Sequence, residues 1–291
     1  MRLLVTGAGG LFGSNVAAVA DGAGETVTAT YHNRRPDVPV TCTQFDITNA
    51  DRFEELLTDH APDTVINCAA MTDVDRCERK PGQARRINGD APGTLAGIAA
   101  DQGVEFIQVS TDYVFDGRSD QGYEPDDETR PIQTYGRTKL LGERRVRNGH
   151  PNPLIVRLSF VYGRTDRGDI EGFPGWLLER LRSGESTPLF TDQYVTPTRA
   201  GSAAETVLEL CQTPVTGTFH VAARNCVTPY EFGTTLAELA GEPTSILKES
   251  RMADIERAAK RPRNTCLSVE RTETELGRPQ PTLGTDLRAL L

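Results

Sequence analysis

The feature that most constrains the fold of this chain is a glycine-rich bend at its start. Arg2-Leu3-Leu4-Val5-Thr6 is a short apolar run that reads as a strand. Gly7-Ala8-Gly9-Gly10-Leu11-Phe12-Gly13 follows directly, and Ser14 to Ala20 is rich in Ala and Val and compatible with a helix. Strand, glycine turn and helix, in that order, form the setting of a dinucleotide-binding turn. Without Cβ atoms at Gly7 and Gly10 the turn can be tight and its backbone open to a pyrophosphate, while Gly13 lets the helix pack closely on the strand. The first N–H groups and the positive dipole end of the helix then face the phosphates. The spacing is G-x-x-G-x-x-G, and Gly9 also supplies G-x-G-x-x-G. The competing reading is a purely structural βα turn.

Strand and helix patterns alternate through the first half. Strand Thr26–Tyr31, helix Asp51–His60, strand Thr64–Cys68, helix Gln83–Gln102 and strand Glu105–Ser110 are followed by a helix from about Tyr135 to Asn148 and strand Leu154–Leu158. This rhythm predicts an α/β fold, a doubly wound parallel sheet of the Rossmann kind with helices on both faces. Ligands of such sheets bind beyond the carboxyl ends of the strands. Those ends carry Gly7, Asp46, Ala69-Ala70, Ser110-Thr111 and Ser159-Phe160. After Phe160 the rhythm breaks. Helices are expected at Gly172–Ser183, Ala200–Cys211 and Pro229–Ala240, a strand at Thr218–Val221, and a polar, Arg-rich stretch at Leu247–Thr265. The expected organisation is a dinucleotide-binding domain over 1–159, with 190–222 returning to it, and a smaller substrate-binding lobe from 160–189 and 223–291.

At the end of the second strand an NAD-preferring site usually places an acid. Here the run is Tyr31-His32-Asn33-Arg34-Arg35-Pro36. An arginine there pairs with a 2′-phosphate that an acid would repel. NADPH is therefore the expected coenzyme, with NADH as the alternative; an ordinary solvated arginine pair near Asp37 is the competing reading.

Composition narrows the partners. The net charge of -9 argues against a nucleic-acid or anionic-membrane surface. No stretch approaches a membrane span, and the chain enters a strand at once, so neither a membrane anchor nor a signal peptide is expected. Cys42, Cys68, Cys77, Cys211, Cys226 and Cys266 are scattered without C-x-x-C pairs and read as reduced thiols of a cytoplasmic protein. The four histidines are dispersed, and no metal site is expected.

Tyr135 and Lys139 lie four residues apart, on one face of a helix. A cation beside a phenol favours the phenolate, so Lys139 is expected to lower the Tyr135 pKa and make it a better proton donor. A donor of that kind suits ketone reduction. Such a pair also arises on ordinary surface helices and gains its meaning from the cofactor turn.

These residues resemble the extended short-chain dehydrogenase/reductases, and among them the dTDP-4-dehydrorhamnose reductase group. The resemblance rests on Val65-Ile66-Asn67-Cys68-Ala69-Ala70-Met71-Thr72-Asp73-Val74-Asp75, on Ser110-Thr111-Asp112-Tyr113-Val114-Phe115-Asp116-Gly117 and on Tyr135-Gly136-Arg137-Thr138-Lys139-Leu140-Leu141-Gly142-Glu143. Arg157 to Gly163, Asp192-Gln193 with Thr196-Pro197-Thr198, and Arg261 to Asn264 continue it in family order. It implies a catalytic set of Thr111, Tyr135 and Lys139, with Tyr135 giving a proton to a sugar C4 ketone. It implies coenzyme contacts at Gly7, Gly10, Leu11, Phe12, Gly13, Asn33, Arg34, Asp46, Ile47, Ala69, Ala70, Thr72, Tyr135 and Lys139. Substrate contacts fall on Thr72, Val74, Thr111, Tyr113 and Phe160. The expected activity is NADPH-dependent reduction of a nucleotide-linked 4-keto-6-deoxysugar, dTDP-4-dehydrorhamnose to dTDP-L-rhamnose first. The alternatives are a 4-epimerase with bound NAD and a non-catalytic, dinucleotide-binding regulatory subunit. Two departures stand out: Phe160 where the family often has Trp, and Asn15 where some members have the Glu of a magnesium-bridged dimer. A monomer or homodimer is expected.

Overall fold

The computed structural model describes residues 1–291. Its strands are β1 (Arg2–Thr6), β2 (Thr26–Tyr31), β3 (Thr41–Gln44), β4 (Thr64–Asn67), β5 (Glu105–Thr111), β6 (Leu154–Leu158), β7 (Val161–Arg164), β8 (Ile170–Glu171), β9 (Thr187–Phe190), β10 (Thr198–Arg199), β11 (Gly217–His220) and β12 (Leu247–Ser250). The longer helices are α1 (Leu11–Gly22), α2 (Ala50–His60), α3 (Val74–Arg79), α4 (Pro81–Ala84), α5 (Ala91–Asp101), α6 (Thr134–Gly149), α7 (Phe173–Ser183), α8 (Ala200–Cys211), α9 (Pro229–Ala240), α10 (Glu270–Leu276) and α11 (Leu283–Leu290).

Seven strands form one parallel sheet in the order β11-β6-β5-β4-β1-β2-β3. The doubly wound reading holds, and its physical cause is the period of two. Leu3, Val5, Ile66, Ile107 and Val156 point to one face, where α1 and α8 cover them with Val16, Ala17, Ala203 and Val207. Leu4, Val65, Phe106 and Ile155 point to the other, against Phe53 and Leu56 of α2 and Leu95 and Ala99 of α5. Strands buried on both faces need continuous apolar runs, which is what the sequence supplies. Within this core the polar side chains are paired. Thr6 donates to Asn67 Oδ1 at 2.5 Å, and Asn67 donates to Gln108 Oε1 at 2.7 Å, tying β1, β4 and β5 together.

A third core joins Tyr162, Leu177, Leu181, Leu189, Phe232, Leu236, Leu247 and Leu287 beyond the sheet's carboxyl edge. β9 and β12 pair there, while β10 pairs with β7 and β11 returns to the main sheet beside β6.

Three readings of the sequence need correction. The Gln83–Gln102 helix is not continuous: Arg85–Asp90 forms a π-helical turn between α4 and α5. Pro92 lacks the N–H that would continue the ladder there, and the wider turn leaves Asn88 free to grip Met71 through its side chain. The strand β3, implied by placing Asp46 at a strand end, had no bounds in the sequence because its pattern is polar and half-exposed. The six cysteines are not all reduced thiols: Cys226 and Cys266, 40 residues apart, form a disulfide with a Cα separation of 5.5 Å. Nothing in their spacing announces it, because the pairing exists only once the segment after β11 and the stretch before α10 lie side by side.

Candidate active site

The sheet order places the reversal of winding between β1 and β4, where a doubly wound fold has its ligand crevice. A cleft of about 850 Å³ opens at that point. Gly7, Gly10, Leu11, Phe12 and Gly13 line one end with Asn33, Arg34, Asp46 and Ile47; Ala69, Ala70, Thr72 and Val74 line the middle; Thr111, Tyr113, Tyr135, Lys139 and Phe160 line the other end. The structure thus brings every residue expected to touch the coenzyme or substrate, or to act in catalysis, to a single cleft.

The glycine end suits a dinucleotide. Gly7 has φ +73°, and a Cβ on it would lie 2.6 Å from the Ala69 backbone. At Gly10 a Cβ would meet no atom nearer than Gly7 O at 3.5 Å, so the space that its missing side chain leaves belongs to the cleft. Gly10 is also the N-cap of α1, with no side chain capping the helix and no acid in its first turn. The N–H groups of that turn have no carbonyl one turn back, as at every helix start. An open, uncapped, acid-free helix start fits a pyrophosphate.

The other end is built by α6. Gln133 caps it by accepting from Gly136 N at 2.8 Å. Any side chain at Gly136 would collide with the Tyr113 carbonyl oxygen, so the glycine lets α6 settle onto the short helical turn Asp112–Val114. The Tyr113 and Tyr135 rings then meet edge to face at 6.0 Å. Lys139, one turn on, is buried and donates from Nζ to Val109 O at 2.7 Å. Thr111 ends β5; its hydroxyl donates to Asp112 Oδ1 at 2.9 Å and accepts from Tyr113 N at 3.2 Å.

The electrostatics depart from the sequence reading. Burial pushes the Tyr135 phenol above its ordinary value, and the neighbouring Thr111 hydroxyl pulls it back only in part. Lys139 does not lower it: burial depresses the ammonium itself to about 8, with Glu143 opposing the shift. The two groups share a helix face, but Lys139 Nζ gives one of its donors to the β5 backbone. Arg34, expected to be free for a 2′-phosphate, is already engaged by Asp166 and Gly9 O. Asp46, expected to contact the coenzyme, lines the cleft and closes a turn by accepting from Thr48 N and Oγ1, while Asn49 caps α2.

Among the cleft residues without an assigned role, Asp112 stands out. Asp112 is 3% exposed and accepts from Thr111 and from Ser159 Oγ at 2.8 Å. Burial pushes its carboxyl up to about 6 against those hydrogen bonds. No cation pairs with it in the structure. Its sequence signal was its place between the strand-end Thr111 and the aromatic Tyr113. Behind Lys139, Glu143 is fully buried and takes Arg157 Nε and Nη2 at 2.9 and 2.8 Å and Ser110 Oγ at 2.6 Å. Phe160 holds φ +47°, a left-handed conformation rare for a bulky residue. That backbone turns its ring against Phe173 and Phe232 at the cleft wall.

Comparison with known proteins agrees with this architecture. The family model described as "RmlD substrate binding domain" matches residues 1–291. The chain is 50% identical over its whole length to the probable low-salt glycan biosynthesis reductase Agl14 of Haloferax volcanii, covering 97% of that protein. It is 34% identical to the dTDP-4-dehydrorhamnose reductase of Mycolicibacterium smegmatis over 93% of this chain and 79% of the relative. The crystal structure of a dTDP-4-dehydrorhamnose reductase from Clostridium acetobutylicum superposes with a TM-score of 0.87 at 30% identity, over 100% of this chain and 98% of that one. The chain belongs to the RmlD family, the dTDP-4-dehydrorhamnose reductase group of the extended short-chain dehydrogenase/reductases.

Proposed function

We propose that this member of a family of NADP-dependent sugar-nucleotide keto-reductases reduces the C4 ketone of a nucleotide-linked 4-keto-6-deoxysugar, with dTDP-4-dehydrorhamnose and dTDP-L-rhamnose as the first substrate and product to test. The observation that carries this reading is the gathering of Thr111, Tyr135 and Lys139 at one end of a cleft whose other end is the uncapped start of α1. NADPH, when bound, supplies the hydride. Gly7, Gly10, Leu11, Phe12 and Gly13 would hold its pyrophosphate, Asn33, Arg34, Asp46 and Ile47 its adenosine, and Ala69, Ala70 and Thr72 its middle.

The chain's own residues then manage the proton. A phenol held above its ordinary pKa stays protonated at neutral pH. It gives up that proton when an alkoxide, a far stronger base than water, develops at the sugar O4. Thr111 stands beside the phenol; its hydroxyl, which donates to Asp112 Oδ1 in the structure, would turn from that carboxylate to hydrogen-bond the same oxygen. Charge appearing on that atom is where fixed donors lower the barrier most. Lys139 brings a cation to a buried wall and, once drawn toward a ribose, stabilises the phenolate left on Tyr135. Thr72, Val74, Tyr113 and Phe160 face the sugar. The name of the 50% identical relative fits a role in building a glycan precursor.

The test is NADPH oxidation measured against a panel of dTDP- and UDP-linked 4-ketosugars. Turnover with at least one is expected, and Tyr135→Phe should lose roughly 10²–10⁴-fold in kcat with coenzyme affinity nearly intact. Full activity in that variant would refute the assignment. Tightly held NAD and turnover without added reductant would instead favour the epimerase.

A further inference from the structure

The turn between β7 and β8 reaches back across the fold to the coenzyme end of the cleft. Asp166, in that turn, has a side chain only 1% exposed. Its two carboxylate oxygens accept from Arg34 Nη1 at 2.9 and 2.7 Å, and Oδ2 also accepts from Asp37 N at 2.6 Å. The opposite edge of the same guanidinium lies on the Gly9 carbonyl, with Nε at 2.9 Å and Nη2 at 2.6 Å. Gly9 makes this approach possible, since a Cβ there would sit 2.5 Å from Arg34 O. Arg34 is therefore clamped between the glycine turn and a carboxylate contributed from more than a hundred residues away.

The clamp changes what Arg34 offers a ligand. A free guanidinium beside the adenosine ribose would favour a 2′-phosphate through both charge and fork geometry. With a carboxylate 2.7 Å away, its charge is offset and most of its donors are used. The other charged or titratable groups lining this end of the cleft do not restore the balance: His32 and Asp46 face each other at 3.6 Å, and Asp46 is an acid. Arg35, the second arginine of the run, does not line the cleft.

We infer that Asp166 is a coenzyme-specificity residue: by pairing with Arg34 it mutes the attraction of this site for the 2′-phosphate and keeps NADPH and NADH close in affinity. The inference rests on the dinucleotide reading of the cleft. It also explains why a basic pair at the end of β2 is a poor guide to coenzyme preference in this chain. The carboxylate that decides the matter is invisible from the local sequence.

Direct titration of NADPH and of NADH onto the protein, without sugar, tests it. Four forms are compared: the unchanged protein, Asp166→Asn, Arg34→Gln and the double variant. Asn keeps an acceptor for Asp37 N and for Arg34 while removing the charge. The affinity ratio of NADPH to NADH should rise roughly three- to tenfold in Asp166→Asn, the effect of unmasking one partly exposed charge. It should fall below the original in Arg34→Gln, where the acid is left uncompensated, and return near the original in the double variant, which carries neither charge. A ratio unchanged or lowered in Asp166→Asn would overturn the inference, because Asp166 would then merely orient Arg34 or pin the turn. So would a double variant that matches Arg34→Gln. If the unchanged protein binds neither coenzyme, the dinucleotide reading fails and takes this inference with it; if it binds both, that reading stands whatever the ratios show.

Discussion

A carboxylate with no cation beside it is costly inside a protein, and Asp112 is such a group. Burial holds it up to about 6, and the titratable groups that face it, Tyr113 and Tyr135, are uncharged phenols. The folded chain binds more protons at Asp112 than the unfolded chain between the ordinary value of 3.8 and about 6. The cost is therefore fully present above about 6 and relieved as pH falls through that window. His220 acts in the opposite sense. Burial and, next, Arg157 depress it from 6.5 to about 3, so the unfolded chain binds the extra proton and stability drains away as pH falls from 6.5 toward 3. Asp112→Asn should raise stability at neutral pH by about 1–3 kcal/mol. It should also steepen the acid loss, because the compensating carboxyl is gone. Thermal melts at neutral pH and near pH 5 would show both, and a lowered melting temperature at neutral pH would mean that the charge is compensated in a way the hydrogen bonds do not reveal. At this scale residue type and spacing singled out Tyr135 and Lys139, and the family resemblance added Thr111. Neither could give their proton affinities, since the sign of the Tyr135 shift depends on how much water the fold removes.

Single contacts between elements decide whether those residues meet. The α6 helix reaches the end of β5 only because Gly136 has no side chain to strike the Tyr113 carbonyl. Gly136→Ala should force α6 away from the Asp112–Val114 turn and lower kcat by roughly 10²-fold, since misplacing a reacting group by about an ångström costs that much. Coenzyme affinity, set at the far end of the cleft, should change little. Equal activity in that variant would show that the close approach is not needed for positioning Tyr135. Element types were largely legible in advance: α1, α2, α6, β1, β4, β5 and β6 lie where the apolar periods put them. The π-helical turn at Arg85–Asp90 was not placed in advance: Asn88-Gly89-Asp90 are weak helix formers, but the form of the break comes from Pro92 and from the grip of Asn88 on Met71. The turn also shapes the cleft, which its Arg86 and Ile87 line. Behind the site, the buried Glu143–Arg157 pair braces α6 against β6. Arg157→Met should cost about 3–5 kcal/mol by stranding the Glu143 charge, measurable by denaturant unfolding; a cost below 1 kcal/mol would argue that Arg147 alone suffices as its partner.

Across the whole molecule, the segments after β11 are held to one another by covalent as well as packed contacts. Cys226 and Cys266 close a span of 40 residues, and breaking such a link in the oxidised protein typically costs about 2–4 kcal/mol. Thiol titration of the denatured protein without reductant should find the four free cysteines, Cys42, Cys68, Cys77 and Cys211, and reductant should lower the melting temperature. Six titrating thiols would remove the link from the account of stability. By itself the sequence determined the parallel sheet, its two apolar faces, the glycine turn and the helix face of Tyr135 and Lys139. These are local consequences of chain chemistry: the period of apolar residues, the missing Cβ atoms and the reach of one helical turn. The tertiary structure alone decided the Cys226–Cys266 pair, the raised Tyr135 phenol, the uncompensated Asp112 and the clamp of Asp166 on Arg34. Each depends on which distant segments share a small volume and how much water they exclude from it, and neither distance nor dielectric is written in any stretch of neighbouring residues.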